Sequence, residues 1–340
     1  MSDYRVVYTD PAWALGERGE VDPRLAEIER TALPDDVRLD LGMMRDGEFV
    51  TEGPEFLEWI AGADAVVVYR AQVSEELADV LAGTCKVVAR QGVGVDNLNG
   101  PVLARRGIPA FNVPDYCVDE VVTHTMALLL ALERHICVQD QAVKQGRWNI
   151  FTGGRPRRLQ ELTAGIVGFG RIGRAVSRRL SGFYGRVVAY DPWVHGDLMV
   201  GHGVRKAHSL EALLTQSDAV LLHAALDDSS RYLVNETSLA HLRPGAVLVN
   251  AARGGLVRPE AVLEALRTGR LQGYAADVFT PEDPNRSEVN REILKFDNVV
   301  VSSHRAFLSE EAEKSQRTRV AEQVADILTT GEPPRFGRVA

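Results

Sequence analysis

A chain of 340 residues is long enough for about two domains, and its 45% hydrophobic and 25% charged residues are typical of a soluble globular protein. The net charge of −8 argues against a general nucleic-acid-binding surface, although it does not exclude a local basic pocket for a small anion. We expect no signal peptide and no membrane-spanning segment, and the three widely spaced cysteines fit neither a disulfide framework nor a zinc site, which indicates a reducing cytoplasm and no metal.

The first third of the chain alternates between strand and helix patterns, which predicts a parallel sheet. The candidate strands are at 6–8, 37–41, 65–69 and 87–89, and the candidate helices between them are at 54–61 and 74–81. Ligands of such a sheet bind at the carboxyl ends of its strands. The loop after the last strand contains Val93 and Gly94, and two interpretations of it are open: a backbone nest that binds a carboxylate, or a plain turn.

Residues 118–144 are mostly apolar at helical spacing, and they predict one long helix that leads into a second domain. The loop at 153–158 carries three arginines, which either face solvent or help to attract an anionic substrate. No internal repeat or long low-complexity segment interrupts the chain.

The stretch 163–191 carries the most specific pattern in the chain. A short apolar strand leads into Gly168, Gly170 and Gly173 in the spacing G-x-G-x-x-G, and a helical pattern follows. Gly168 permits the tight turn, Gly170 lets a pyrophosphate approach the backbone, and Gly173 lets the helix pack closely on the strand. Asp191 ends the second strand, where a carboxylate binds the ribose hydroxyls of NAD. The combination predicts a dinucleotide-binding unit rather than an ordinary glycine-rich turn.

The second half of the chain supplies candidate catalytic residues at strand ends. Further strands are expected at 219–223, 246–250, 272–277 and 299–302. Arg253, Glu282 and His304 follow the last three of them. In a parallel sheet these strand ends share the edge that carries the glycine-rich turn, so the three side chains can converge on the nicotinamide. A terminal helix at 309–328 is expected to cross back to the first domain.

The order of these motifs resembles the D-isomer-specific 2-hydroxyacid dehydrogenases. Besides the glycine-rich turn with its acid, the resemblance rests on Asn250-Ala-Ala-Arg253-Gly-Gly, Asp277-Val-Phe-x-x-Glu282 and Ser303-His304. It covers nearly the whole chain. Residues 303–310 are most similar to the branch that contains the C-terminal-binding-protein corepressors and their bacterial relatives.

The resemblance implies an α/β fold with two Rossmann-like, flavodoxin-like domains and doubly wound parallel sheets. An NAD-binding domain at 114–305 would be inserted into a substrate domain formed by 1–113 and 306–340. The implied cofactor is NAD, and the implied partners are a small 2-oxo or 2-hydroxy acid and a second copy of the chain, which would form a homodimer through the nucleotide domains. No nucleic-acid or membrane partner is expected.

The resemblance also implies a role for each site residue. Arg253 would bind the substrate carboxylate and polarise its carbonyl, His304 would be the acid/base, and Glu282 would be the partner of His304. The backbone N–H groups of Val93 and Gly94 would bind the same carboxylate. The predicted cofactor contacts are Gly168, Gly170, Arg171, Ile172, Gly173, Asp191, Ala224, Ala225, Ser230, Ala252 and Asp277.

General chemistry supports these roles. Reduction of a 2-oxo acid needs a hydride and a proton, an imidazolium supplies a proton near neutral pH, and a guanidinium matches a carboxylate and stabilises an oxyanion. The main hypothesis is therefore an NAD-dependent oxidoreductase that acts on CH-OH groups, run as a 2-oxoacid reductase. The second hypothesis is an NAD(H)-sensing binding protein with little turnover, like the corepressors, which keep the same three residues.

Two residues bear on substrate choice. Arg70 ends the third candidate strand and resembles the position at which phosphoglycerate-type members bind a second anionic group. Its alternative role is an ion pair with Asp115 or Glu310. Phe307 either walls the substrate pocket or packs between the domains.

Overall fold

The computed structural model describes residues 4–340, which form two compact units. The first unit takes Met1–Tyr116, described from residue 4 onward, together with Ser309–Ala340, and the second unit takes Cys117–Leu308. These boundaries lie about three residues from the predicted domain limits. The assignment of one unit to the substrate and the other to NAD stays a prediction.

Strands and helices alternate along both units. The strands are β1 (Arg5–Tyr8), β2 (Arg38–Leu41), β3 (Met44–Arg45), β4 (Glu48–Phe49), β5 (Ala65–Val68), β6 (Val87–Arg90), β7 (Ala110–Asn112), β8 (Thr163–Val167), β9 (Arg186–Tyr190), β10 (Arg205–Lys206), β11 (Ala219–Leu222), β12 (Ala246–Asn250), β13 (Leu271–Ala276) and β14 (Val299–Val301). The α-helices are α1 (Glu27–Ala32), α2 (Pro54–Ile60), α3 (Glu75–Leu81), α4 (Gly100–Arg105), α5 (Val118–Glu133), α6 (Ile136–Lys144), α7 (Arg171–Leu180), α8 (Gly196–Gly201), α9 (Leu210–Leu214), α10 (Glu236–Ala240), α11 (Pro259–Arg267), α12 (Glu288–Ile293) and α13 (Glu310–Thr330).

The first unit is built on a five-stranded parallel sheet in the order β2-β1-β5-β6-β7, and β3 and β4 form a separate antiparallel ribbon. Counted within the sheet, this order is 2-1-3-4-5, which is that of flavodoxin-like folds. Side chains alternate between the two faces, so Val66 packs in one core and Val67 in the other. Because both faces are covered, the strand is apolar without alternation, as the sequence Ala-Val-Val-Val of β5 shows.

Helix α13 belongs to the first unit, as expected for a terminal helix that returns there. It begins after Ser309, whose side chain accepts a hydrogen bond from the Ala312 N–H and so satisfies one free donor of the first turn. Val320 and Val324 pack in the core cluster on one face of the sheet. The buried Arg317 guanidinium donates to both carboxylate oxygens of Glu29, at 2.9 and 2.7 Å, and this pair joins α13 to α1.

The second unit is built on a seven-stranded parallel sheet in the order β10-β9-β8-β11-β12-β13-β14. Counted within the sheet this is 3-2-1-4-5-6-7, the Rossmann order with a seventh strand. The order reverses between β8 and β11, and ligands of doubly wound sheets bind at the carboxyl end of such a switch point. The glycine-rich turn lies there. The predicted fold class, two doubly wound α/β units, is confirmed.

The predicted single helix over 118–144 is wrong. Helix α5 ends at Glu133, α6 begins at Ile136, and their axes differ by 64°. His135, between them, has a φ of 54°, in the left-handed region that stops a helix and that histidine enters more readily than most residues. Helix α5 buries one face in the core, whereas in α6 only Ala142 is buried and the apolar Ile136 and Val143 are exposed. Among residues 4–340 no single helix is long and apolar enough to cross a bilayer, and only the bent pair of α5 and α6 meets that criterion jointly.

Candidate active site

Two close backbone approaches shape the glycine-rich turn between β8 and α7. Gly168 has a φ of 92°, and a Cβ atom there would lie 2.5 Å from the Ala224 backbone nitrogen after β11. A Cβ atom at Gly173 would lie 2.1 Å from the Gly168 carbonyl oxygen, so a side chain would push the helix off the strand. At Gly170 no described atom lies within 4 Å of the Cβ position. The backbone therefore packs closely against Gly168 and Gly173, and the space beside Gly170 at the tip of the turn is open.

Helix α7 presents an uncapped N-terminus at this turn. Gly170 is the N-cap residue, and no side chain in the described part of the chain caps the helix. The N–H groups of Arg171, Ile172 and Gly173 have no intrahelical acceptor because they belong to the first turn. Free donors and the positive end of the helix dipole form an anion-binding site, which fits the predicted pyrophosphate position.

Asp191 follows β9 and is half-buried. One carboxylate oxygen accepts the Phe169 N–H at 2.8 Å, and the other accepts the Trp193 N–H at 2.9 Å. These bonds tie the acid to the glycine-rich turn and fix its orientation. Each carboxylate oxygen retains a lone pair, so the predicted contact with ribose hydroxyls is compatible with this geometry and stays a prediction.

Hydrogen bonds within the loop after β11 hold its conformation. The Ser230 hydroxyl donates to the Ala225 carbonyl at 2.7 Å and accepts the Asp227 N–H at 2.8 Å. The serine thereby holds the segment that contains Ala224 and Ala225, and the cofactor contacts predicted for all three stay predictions. His223 begins this loop, and its Nε2 is buried without a hydrogen-bond partner in the described residues. Burial lowers the pKa of His223 to about 4, so this side chain is neutral near pH 7.

Arg253 lies three residues after β12, at the start of the short 3₁₀ turn Gly254–Leu256. The fully buried Asn250 side chain fixes this loop: its amide donates to the Arg253 carbonyl at 2.9 Å, and its oxygen accepts the Ala252 N–H at 3.1 Å. The guanidinium itself donates to the Ala252 carbonyl at 2.8 Å. The predicted substrate arginine is thus held at a defined place on the carboxyl edge of the sheet.

Glu282 and His304 are in direct contact, because His304 Nδ1 and Glu282 Oε1 form a hydrogen bond. Both side chains are partly open to solvent. A carboxylate on Nδ1 fixes the ring orientation and leaves Nε2 for proton exchange. His304 has a φ of 52°, a conformation that costs about 1–3 kcal/mol in a non-glycine residue and is found at functional sites.

Asp277 holds the backbone turn that carries His304. Its carbonyl accepts the His304 N–H at 2.7 Å, and its carboxylate accepts the N–H groups of Arg305 at 3.0 Å and Ala306 at 2.9 Å. Burial alone would raise the pKa of this carboxyl, but the hydrogen bonds that it accepts outweigh burial and lower the pKa. Asp277 is therefore ionised and holds this turn in place, a role that the sequence did not reveal. Its contact with the cofactor stays a prediction.

The three candidate catalytic residues follow adjacent strands, since β12, β13 and β14 lie side by side and run parallel. The structure brings Glu282 and His304 into contact and places Arg253 at the neighbouring strand end on the same edge. The Phe307 ring stands edge-on to the His304 ring, with centroids 6.2 Å apart. This position is compatible with a pocket wall, and that role stays a prediction.

In the first unit, the loop after β6 has the features of an anion-binding nest. The Asn112 side chain donates to the Val93 carbonyl at 2.5 Å and anchors the loop. The N–H groups of Val93 and Gly94 have no acceptor within residues 4–340, and both interpretations of the loop, a carboxylate-binding nest and a plain turn, stay predictions. Both residues are only partly buried, so these donors are accessible to a carboxylate.

Arg70 lies in the loop that follows β5, and it is exposed. Buried Asp10 accepts its backbone N–H at 2.5 Å, and its guanidinium lies 5.3 Å from the centre of the Tyr69 ring. The alternative role as an ion pair with Asp115 or Glu310 is wrong: Asp115 pairs with Arg319 at 2.8 Å, and Arg70 makes no ion pair with either acid in the described chain. The guanidinium is therefore available to a ligand.

The arginines of the 153–158 loop have partners within the second unit. Arg157 donates to buried Glu133 at 3.1 Å, and Arg158 lies 3.5 Å from Glu161. Arg155 stacks over the Phe151 ring. These contacts favour a structural role for the loop over attraction of an anionic substrate. Nowhere in residues 4–340 do three His, Cys, Asp or Glu side chains cluster so that they could hold a metal ion.

Comparison with known families gives a match over more than half of the chain. Residues 126–306 match the family described as D-isomer specific 2-hydroxyacid dehydrogenase, NAD binding domain. The matched range contains the glycine-rich turn, Asp191, Arg253, Glu282 and His304. At the level of the family, the match confirms the predicted NAD cofactor.

Two curated relatives show how far the similarity extends. The chain is 33% identical over 276 residues to the hydroxypyruvate reductase of Thermotoga maritima, and the aligned region covers 80% of this chain and 87% of that protein. It is 34% identical over 277 residues to the D-3-phosphoglycerate dehydrogenase of Methanocaldococcus jannaschii, which covers 81% of this chain and 51% of that protein. The chain thus spans about half the length of the phosphoglycerate dehydrogenase that it matches.

A solved structure shares the fold. The D-lactate dehydrogenase from Aquifex aeolicus, complexed with NAD and lactic acid, superposes with a TM-score of 0.82 over 95% of each chain, at 24% sequence identity. At that identity the likeness concerns the fold alone. Together, the family match and the relatives confirm the resemblance that the motifs predicted.

Proposed function

The chain belongs to the D-isomer-specific 2-hydroxyacid dehydrogenase family, and on that premise we propose that it is an NAD-dependent reductase of a small 2-oxo acid. The observation that carries the proposal is the hydrogen bond between His304 and Glu282 at the carboxyl edge of the Rossmann-like sheet. Arg253 stands at the adjacent strand end of that edge.

The reaction adds one hydride to C2 of the 2-oxo acid and one proton to the carbonyl oxygen, and bound NADH supplies the hydride. His304 donates the proton from Nε2 while Glu282 holds the Nδ1–H and balances the imidazolium charge. Arg253 binds the substrate carboxylate with its planar fork and stabilises the charge that develops on the carbonyl oxygen. In the first unit, we propose that the N–H groups of Val93 and Gly94 bind a carboxylate.

The geometry of the glycine-rich turn supports the predicted cofactor positions. The N–H groups at the start of α7 would hold the pyrophosphate, and Asp191 would hold the ribose. Asp191 also sets the preference for NAD over NADP, because its carboxylate repels a 2′-phosphate and the next residues are Pro192 and Trp193 rather than an arginine.

A turnover screen tests the proposal. Pyruvate, glyoxylate, hydroxypyruvate and phosphohydroxypyruvate are each assayed with NADH and with NADPH. We expect sustained oxidation of NADH with at least one acid, and a lower kcat/KM with NADPH. Tight NADH binding without turnover of any acid would instead support an NAD(H)-sensing protein, the alternative that the similarity of residues 303–310 to the corepressor branch favours.

Arg70 defines the substrate class within this proposal: an acid with a second anionic group. The Arg70 guanidinium is exposed and has no acidic partner among the described residues, so it can pair with the second anionic group of a substrate. We expect Arg70→Ala to raise the KM of a dianionic 2-oxo acid about tenfold, which corresponds to a lost charge-assisted hydrogen bond of roughly 1.5–3 kcal/mol. Pyruvate and glyoxylate, which lack the second group, should be almost unaffected.

Arg105→Ala is the matched control, because Arg105 is an exposed arginine of the same unit that pairs with Glu75 at 3.0 Å. It should leave the KM of both substrate types unchanged. An equal loss for monoanionic and dianionic acids in Arg70→Ala, with a lower melting temperature, would show that Arg70 is structural.

We further propose that the chain forms a homodimer through α6 and the segment that follows it. Five apolar side chains are exposed there, namely Ile136, Val143, Trp148, Ile150 and Phe151. Such a patch on a soluble chain marks an interface. Light scattering should give about twice the mass of the chain, and Trp148→Glu should shift it towards the monomer; an unchanged mass in the variant would place the interface elsewhere.

For the cellular location we propose the cytoplasm. Cys85 and Cys117 are buried free thiols and Cys137 is an exposed one. An exposed thiol is compatible with a reducing compartment.

A further inference from the structure

We propose that His124 is a positioning residue for the proton-transfer turn: through Ser302 it fixes the Asp277 carboxylate that holds the backbone around His304. His124 lies on α5, about 180 positions before His304 in the sequence. The inference rests on the proposed reduction. It adds to the site a side chain that lies in no recognisable sequence motif.

The contacts form one chain from helix to turn. His124 Nε2 lies 2.8 Å from the Ser302 hydroxyl, which donates to Asp277 Oδ1 at 2.5 Å, and Nε2 also lies 3.5 Å from Asp277 Oδ1 itself. Asp277 then accepts the N–H groups of Arg305 and Ala306 through its carboxylate. The histidine ring is about a quarter exposed, and the Asp277 side chain is almost fully buried.

The donor and acceptor roles in this chain follow from counting protons. Asp277 is ionised and only accepts, and Ser302 has a single hydroxyl proton. Because that proton points to Asp277, the Ser302 oxygen must accept from His124, so His124 Nε2 carries a hydrogen. The side chain at position 124 therefore has to carry an N–H donor that reaches the Ser302 oxygen. A ring of the same shape without a donor does not suffice.

The consequence concerns the geometry of His304. The turn on its C-terminal side is held by the Asp277 carboxylate, and its own backbone is in the left-handed region. Without the donor from His124, only its own bond to Asp277 orients the Ser302 hydroxyl. The Asp277 carboxylate is then held by fewer partners, and the turn that places His304 beside Glu282 is less constrained.

Four variants test the proposal by steady-state kinetics with NADH and the best 2-oxo acid. We expect His124→Phe, which keeps a ring and removes the donor, to lower kcat about tenfold while the KM for NADH changes less than twofold. Ser302→Ala should have a similar effect, and the loss in the double variant should be less than additive because the two side chains contact each other and the same carboxylate. His124→Gln, which keeps an N–H donor, should recover most of kcat. Thr123→Ala, at an exposed neighbour on α5, is the control and should match the wild type.

Amide hydrogen exchange gives a readout that does not depend on turnover. Exchange of the Arg305 and Ala306 amides should be about tenfold faster in His124→Phe and Ser302→Ala, and slow again in His124→Gln, while α5 is unchanged. If the wild type reduces no acid, the proposed function fails and these exchange rates still decide the role of His124. Wild-type kcat and exchange in His124→Phe, or equal damage in His124→Phe and His124→Gln, would overturn the inference.

Discussion

Replacing His304 by alanine lowers kcat for reduction by about 10²–10⁴-fold, which is the usual contribution of a general acid. Because reduction consumes a proton and oxidation releases one, we expect the wild-type reductive rate to fall as pH rises and the rate of oxidation of the hydroxy acid to rise over the same range. His304→Ala should flatten both limbs. The measurement is kcat in each direction as a function of pH at saturating cofactor.

The variant Glu282→Gln tests the role of Glu282 separately from that of the proton donor His304. The amide keeps a hydrogen bond to the ring but does not balance its charge, so the reductive limb should move to lower pH. His241→Ala is the control, since His241 also lies near a carboxylate, 3.7 Å from Glu211, at a position outside the proposed site. Full turnover in His304→Ala would refute the acid/base assignment.

The second large effect is expected at Arg253. Arg253→Ala should lower kcat/KM for the 2-oxo acid by about 10³-fold, because it removes both the carboxylate fork and a fixed charge at the developing oxyanion. Arg253→Lys should recover only part of the loss, since an ammonium group is a point charge without the planar fork. The Kd for NADH should stay close to that of the wild type.

Arg258→Ala is the matched control for Arg253. Arg258 lies five residues further along the same loop, is partly exposed and pairs with Glu236 at 3.6 Å. Its loss should leave kcat/KM within about twofold, as for most exposed ion pairs. If Arg253→Ala and Arg258→Ala had equal, small effects, Arg253 would have no role in the chemistry.

Most of the fold could be predicted because its signals are local. Strand β12 matches its predicted bounds, since it is a short apolar run between turn residues. The break at His135 could not be read from periodicity, because the apolar spacing continues from α5 into α6 and neither glycine nor proline marks the turn. There the local backbone conformation of one residue overrides a continuous apolar pattern.

The site was predictable where a residue carries its own motif and not where it acts through another residue. The glycine-rich turn and Arg253 lie in recognisable patterns. Ser302 and His124 act by supporting other groups, and their partners are close only in space. For Arg70 a considered contact is absent, because Asp115, one of its possible ion-pair partners, pairs with Arg319 instead. Arg319 reaches Asp115 only through the packing of α13, which the sequence pattern does not show.

The most direct test of the central claim is transfer of the hydride itself. NADH that carries deuterium at C4 of the nicotinamide is incubated with the wild-type protein and the best 2-oxo acid, and the product is analysed by mass spectrometry and chiral chromatography. We predict one deuterium at C2 of a D-2-hydroxy acid, with His304→Ala forming the same product far more slowly. NADH that binds but transfers no label to any acid would contradict the account.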